Sequence, residues 1–159
     1  MSNSLKNNKG GIAIAGNIIT DVVKTLDFFP GVSMLANVLD SVVSVGGCVP
    51  NTIIDIAKID PSVPLSAIGL VGADEYGKLL RDTLNKYGID TSRVNITDKC
   101  PTANTQVMSD SQTGTRTFFY RKGTNALFGI DDIDVDNLDC DIFHIGYLLL
   151  LDKFDEPDD

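Results

Sequence analysis

The sequence predicts an α/β domain, with short buried strands alternating with helices. Three observations carry this. Gly11-Ile12-Ala13-Ile14-Ala15-Gly16 and Leu65 to Val71 are apolar without alternation, as in parallel strands covered on both faces. Ala73 to Tyr87 places Tyr76, Leu79, Leu80, Leu84 and Tyr87 at helical spacing, with charges opposite. Between them, Val42, Val43 and Val45 run into Gly46-Gly47-Cys48-Val49-Pro50-Asn51 and then an apolar helical segment to Ile59.

Composition bounds the function. The 159 residues are 43% hydrophobic and 22% charged, which suits one globular domain with a real core. Thirteen Lys and Arg against 22 Asp and Glu leave a net charge of −9. That excludes the basic footprint of a nucleic-acid binder and disfavours an anionic membrane surface. No apolar run reaches the roughly 20 residues of a membrane span, and no cleavable apolar leader follows the polar start, so the expected location is cytoplasmic. Cys48, Cys100 and Cys140 are odd in number and lack metal-ligand spacing. Cys48 reads as a small buried thiol and His144 as a structural residue of an apolar strand; no metal site is expected.

Residues 1–10 read as a disordered N-terminus, polar from Met1 to Lys9, and 11–159 as one domain. After the first strand, Asn17 to Asp21 lie at its carboxyl end, where open α/β sheets gather ligands. Asp21 is therefore a candidate for gripping a hydroxyl; as a plain turn carboxylate it would simply be solvated. Thr20 to Leu26 and Met34 to Val45 are β-branched runs separated by Phe29-Pro30-Gly31, and read as short strands off the main sheet. A helix over 51–59 ends before Asp60-Pro61. Gly88 closes the helix over 73–87. Thr102 to Ser109 and Thr115 to Lys122 flank Asp110-Ser111-Gln112-Thr113-Gly114, a hairpin signal. Phe118, Phe119 and Tyr120 give it bulk. Arg121, at its end, would meet an anionic group on a ligand or else snorkel on the surface. Ile130 to Leu138 is short and acidic, and Asp141 to Leu151 reads as a last strand.

The stretch around Gly46 carries the chemistry. Two glycines leave backbone bare and permit positive φ. Pro50 suits a first helical turn, and the helix N-terminus presents orphan N–H groups. Asn51 both donates and accepts, which suits a polyol. Taken alone, these residues read better as an ordinary Gly-rich turn, since short glycine motifs recur by chance. Gly72-Ala73-Asp74-Glu75-Tyr76-Gly77-Lys78-Leu79 nearly fits a P-loop. It fails because Leu79 replaces the Mg²⁺-binding hydroxyl and Asp74 and Glu75 would repel phosphate.

In order and spacing, these pieces resemble the N-terminal half of a PfkB (ribokinase-like) carbohydrate kinase, from about Gly11 to Asp152. Gly46-Gly47-Cys48-Val49-Pro50-Asn51 is similar to the family's Gly-Gly-x-x-x-Asn sugar motif. Gly69-Leu70-Val71-Gly72-Ala73-Asp74-Glu75-Tyr76-Gly77 is similar to its Gly-x-Val-Gly-x-Asp-x-Tyr/Phe-Gly stretch. Gly88-Ile89-Asp90-Thr91, Tyr120-Arg121-Lys122-Gly123-Thr124-Asn125-Ala126, and Gly16 with Asp21 follow the family pattern as well. Val49 and Ile53 depart from it, standing where smaller residues are usual.

The resemblance implies a partial ribokinase-like α/β sandwich with a small β-sheet lid, its strands within 18–45 and 102–122. It implies ATP- and Mg²⁺-dependent transfer of a γ-phosphate to a sugar hydroxyl. Asp21, Gly46, Gly47 and Asn51 would fix the sugar. Arg121 resembles the arginine that meets acidic or open-chain sugars in ketodeoxygluconate-kinase-like members. The resemblance also allows a homodimer through the lid. The family's Asp-Thr-x-Gly-Ala-Gly-Asp, which holds the catalytic base and anion hole, does not occur in the 159 residues. The expectation is thus a sugar-recognising half with no catalytic residue and little of the ATP site, inactive alone and either part of a longer chain or held by a partner. A nucleoside kinase of the same family and a non-catalytic sugar-binding module are the alternatives.

Overall fold

The computed structural model describes residues 10–155. The expected disordered N-terminus therefore lies outside the described residues, except for Gly10. The elements are β1 (Ile12–Gly16), β2 (Ile19–Leu26), β3 (Val38–Gly46), α1 (Cys48–Ile59), β4 (Leu65–Gly72), α2 (Glu75–Lys86), β5 (Asp90–Thr97), β6 (Asn104–Asp110), β7 (Arg116–Arg121) and β8 (Ile142–Gly146), with short 3-10 turns after β7 and β8.

The main sheet has the order β5-β4-β1-β8, with every neighbouring pair parallel. One face packs on α1 and α2. Ile14, Val49, Ile53, Leu80 and Leu84 are the buried heart of that layer. On the other face Ala13, Ala15, Ile68 and Leu70 meet Phe128, Ile133 and Leu151 from the loops between the 3-10 turns. Burial on both faces explains why β1 and β4 show no alternation in sequence.

A second sheet stands apart, in the order β3-β2-β6-β7. Its strands cover residues 19–26, 38–46, 104–110 and 116–121. β2 runs parallel to β6; the two outer pairs are antiparallel.

Several boundaries differ from expectation for identifiable reasons. β5 escapes a sequence reading because it is a polar edge strand, with only Thr91 and Val94 buried. The guanidinium of Arg93 holds the backbone carbonyls of Asp134 and Asn137 beside it. α1 begins at Cys48 rather than Asn51, with Pro50 in its first turn as expected. The last strand stops at Gly146. Tyr147 then adopts a left-handed φ of 58°, and Leu148–Leu150 form a 3-10 turn instead of continuing the strand. On α2, Leu80 and Leu84 are fully buried, whereas Tyr87 at the end of the stripe is exposed.

Candidate functional site

Gly46 ends β3 and Gly47 caps α1, and their missing side chains have a structural cause. A Cβ at Gly46 would stand 2.2 Å from Asp21 Oδ2. A Cβ at Gly47 would stand 2.4 Å from Asn17 Oδ1 and 2.6 Å from the Asn17 carbonyl oxygen. The space expected for a ligand is thus taken by the protein's own carboxylate and amide. Gly47 is also the N-cap of α1, with φ 93°, a conformation costly for any residue bearing a Cβ. The Asn17 carbonyl accepts from Val49 N at 3.2 Å, which pins the first turn of α1 to the end of β1.

Asp21 is held in this corner by pairing. Its register partners are Ser44 on β3 and Thr105 on β6, and Tyr120 on β7 pairs with Thr105. Paired residues share a sheet face, so Ser44, Asp21, Thr105 and Tyr120 form one polar row across four strands. Burial pushes the Asp21 carboxyl above the usual carboxylate range, partly offset by a hydrogen bond with the Thr105 side chain. A carboxylate so placed is a strong acceptor for hydroxyl protons. Asn51 lies exposed in the first turn of α1, one turn beyond Gly47. Asp21, Gly46 and Gly47 are therefore brought together, with Asn51 on the adjoining helix end.

Arg121 is not in that group. It pairs with Asn104, which pairs with Thr20, so these three point to the opposite face of the same sheet. Beside the start of α2, Arg121 lines a cleft with Tyr76, Asn104, Gln106, Phe119 and Tyr120. Strand side chains alternate faces, but β7 is the edge of its sheet, and both Tyr120 and Arg121 line this cleft.

The Gly72–Gly77 motif is structural. Asp74 is the N-cap of α2 and accepts from Gly77 N at 2.9 Å. Its carboxylate also accepts from Thr102 N at 2.8 Å and from Thr102 Oγ1 at 2.6 Å. A Cβ at Gly77 would meet the Gly72 carbonyl oxygen at 2.2 Å, so the helix can start only this close to β4 without one. The loop after β7 is a second fastening. Asn125 accepts from Ile18 N at 3.3 Å and donates to Tyr120 Oη at 3.1 Å.

Cys48 is buried as expected, and burial raises its thiol pKa despite its place at a helix start. Its Sγ lies 3.6 Å from His144 Nε2. Residues that the sequence reading passed over are Asn17, Ser44 and Thr105. Asn17 is fully buried, and its side-chain amide has no hydrogen-bond partner among the described residues. The one available signal was its position straight after a buried strand.

The family model for pfkB family carbohydrate kinases matches residues 10–153. The chain belongs to this family. Among solved structures, a ribokinase from Thermotoga maritima is 26% identical, with a TM-score of 0.75 over 84% of this chain and 44% of its own. A nucleoside kinase from Methanocaldococcus jannaschii is 20% identical, with a TM-score of 0.72 over 86% of this chain and 44% of its own. An Arabidopsis thaliana ribokinase, solved with ribose and ATP, is 22% identical, with a TM-score of 0.66 over 73% of this chain and 37% of its own. No curated protein matches the chain by sequence. The PfkB chain thus spans less than half the length of each of these kinases. Among its described residues no helix is long and apolar enough to cross a membrane.

Proposed function

We propose that this PfkB chain is the acceptor-binding half of an ATP-dependent sugar kinase. The observation that carries the proposal is the Asp21 carboxylate against Gly46, at the joint between the sheets and the start of α1. Asp21 accepts the protons of sugar hydroxyls, Gly46 and Gly47 let Asp21 and the helix end approach, and Asn51 completes the cradle. The second sheet acts as a lid that covers the acceptor and excludes water, which phosphoryl transfer needs.

ATP and Mg²⁺ supply the transferred phosphoryl group and its charge neutralisation. Among the described residues, no three His, Cys, Asp or Glu side chains are placed to hold a metal ion. No residue among those described is assigned the role of the base that takes the hydroxyl proton. Exposed apolar side chains of the lid, Val38 and Leu39 among them, suit a homodimer formed through it.

A nucleoside acceptor is the second reading. Val42, Val23, Val107 and Phe118 form an apolar row beside the Asp21 row, a bed on which a base would lie. Titration calorimetry of the 159-residue chain with ribose and with adenosine tests both. Asp21→Ala should weaken the bound acceptor by about 1–3 kcal/mol. Unchanged affinity would remove Asp21 from the site.

A further inference from the structure

The 3-10 turn after β7, Gly123–Ala126, is fastened to the segment that enters β6. Thr124 N donates to the Pro101 carbonyl at 3.1 Å, and Thr124 Oγ1 accepts from Ala103 N at 3.3 Å. Gly123 holds a φ of 49°, and a Cβ there would stand 2.4 Å from the Pro101 carbonyl oxygen, so this approach requires glycine. The turn presents Asn125, which is buried and has both amide atoms engaged. Its Oδ1 faces Ile18 N, a group that can only donate, so Nδ2 is the atom left to face Tyr120 Oη. Turning the amide over would set donor against donor at Ile18. A phenol oxygen that accepts from Asn125 keeps its own proton to give elsewhere.

From this we infer that Asn125 is a positioning residue that makes Tyr120 a hydrogen-bond donor to the bound acceptor. The inference rests on the acceptor-binding role proposed above and adds two residues to it. Tyr120 pairs with Thr105 and Thr105 with Asp21, so the three share a face of the sheet. Tyr120 also borders the cleft of Arg121. Its phenol oxygen, however, is tied through Asn125 to Ile18, between the end of β1 and the start of β2, and so is held toward the Asp21 corner. In the same row the Thr105 hydroxyl hydrogen-bonds with the Asp21 carboxyl group. The row thus offers a carboxylate that accepts and a phenol that donates. A sugar hydroxyl satisfies the first, and a ring or carbonyl oxygen satisfies the second.

NMR and calorimetry of the 159-residue chain test this, with ribose and adenosine as probes. In the free chain Tyr120→Phe should shift the side-chain amide signals of Asn125 and leave the Ile18 backbone amide in place. An unmoved Asn125 signal would overturn the inference before any ligand is added. Asn125→Asp keeps one oxygen for Ile18 N but turns a second toward Tyr120, which draws the phenol proton inward. Tyr120→Phe and Asn125→Asp should each weaken the better-bound probe about fivefold or more, as the loss of one hydrogen bond implies. Both remove the same donor, so the double variant should bind within about twofold of Tyr120→Phe alone. Losses that multiply would show that Asn125 acts only on the fold and would overturn the positioning role. So would unchanged affinity in Tyr120→Phe beside a loss in Asp21→Ala, a result that spares the acceptor-binding role. Failure of both probes to bind the unmodified chain would remove that role, and this inference with it. Tyr120→Phe keeps the ring and carries the test by itself if Asn125→Asp does not fold.

Discussion

Asp74 caps α2 and at the same time grips Thr102, taking its backbone N–H at 2.8 Å and its hydroxyl at 2.6 Å. One carboxylate thus ties the helix to the segment entering β6, and through it one sheet to the other. Asp74→Ala should destabilise the chain by about 1–3 kcal/mol, read by urea denaturation. Burial raises this carboxyl's pKa, but hydrogen bonds from Thr102 and Gly77 outweigh that and hold it below the usual range. Its stabilisation is therefore complete above the ordinary carboxylate pKa and is lost as pH falls through the lower, folded value. Asp74→Ala should flatten that acid limb.

Asp21 is shifted the other way, upward by burial. Its folded state holds a proton to higher pH than the unfolded chain does. The associated stabilisation is present below the unfolded pKa and lost as pH rises through the folded one. Asp21→Asn should therefore raise the melting temperature at pH 7, with the difference vanishing near pH 3, while acceptor affinity falls. A melting temperature lowered at pH 7 would show that the carboxylate stabilises the fold.

The two adjacent glycines should respond differently. Alanine at Gly47 meets backbone as well as Asn17 and must hold a φ of 93°, so Gly47→Ala should cost about 1–3 kcal/mol of stability. Alanine at Gly46 meets side chains and no backbone: Asp21 Oδ2 at 2.2 Å, Asp21 Cγ at 3.1 Å and Ile19 Cγ1 at 3.4 Å. Gly46→Ala should therefore leave stability within about 1 kcal/mol and instead weaken acceptor binding about tenfold, or ~1.4 kcal/mol. Equal effects from the two variants would contradict this division.

The edges of the main sheet differ in the same testable manner. β5 is polar and strapped by Arg93. β8 is Ile-Phe-His-Ile-Gly, with Ile142 and Phe143 exposed and Leu148, Leu149 and Leu150 exposed just beyond. An unguarded apolar edge pairs with other chains. The isolated chain should self-associate with concentration in sedimentation, and Ile142→Lys with Leu149→Lys should reduce this. A monomer at all concentrations would show that the edge is protected.

Much of this was legible in the residues. The unbroken apolar runs of β1 and β4, the stripe of α2 and the off-sheet strands announced the architecture, because burial dictates those patterns. The corner of Asp21, Gly46 and Gly47 was also legible as a set. Its geometry was not: that Asn17 and Asp21, and not a ligand, fill the glycines' space depends on how β1, β2 and α1 converge. The side of the sheet that Arg121 takes was hidden for a related reason. A strand's register fixes which face each side chain takes, and a one-residue offset is invisible until the pairing is known. β5 hid because an exposed edge needs polar residues, which erase the apolar signal.

An NMR titration of the 159-residue chain with a neutral acceptor, ribose first, examines the central claim most directly, since every backbone amide reports its own neighbourhood. The account predicts shifts gathered at Asp21, Ser44, Gly46, Gly47, Asn51 and Thr105. Shifts gathered instead around Tyr76, Gln106 and Arg121, across the sheet, would contradict it.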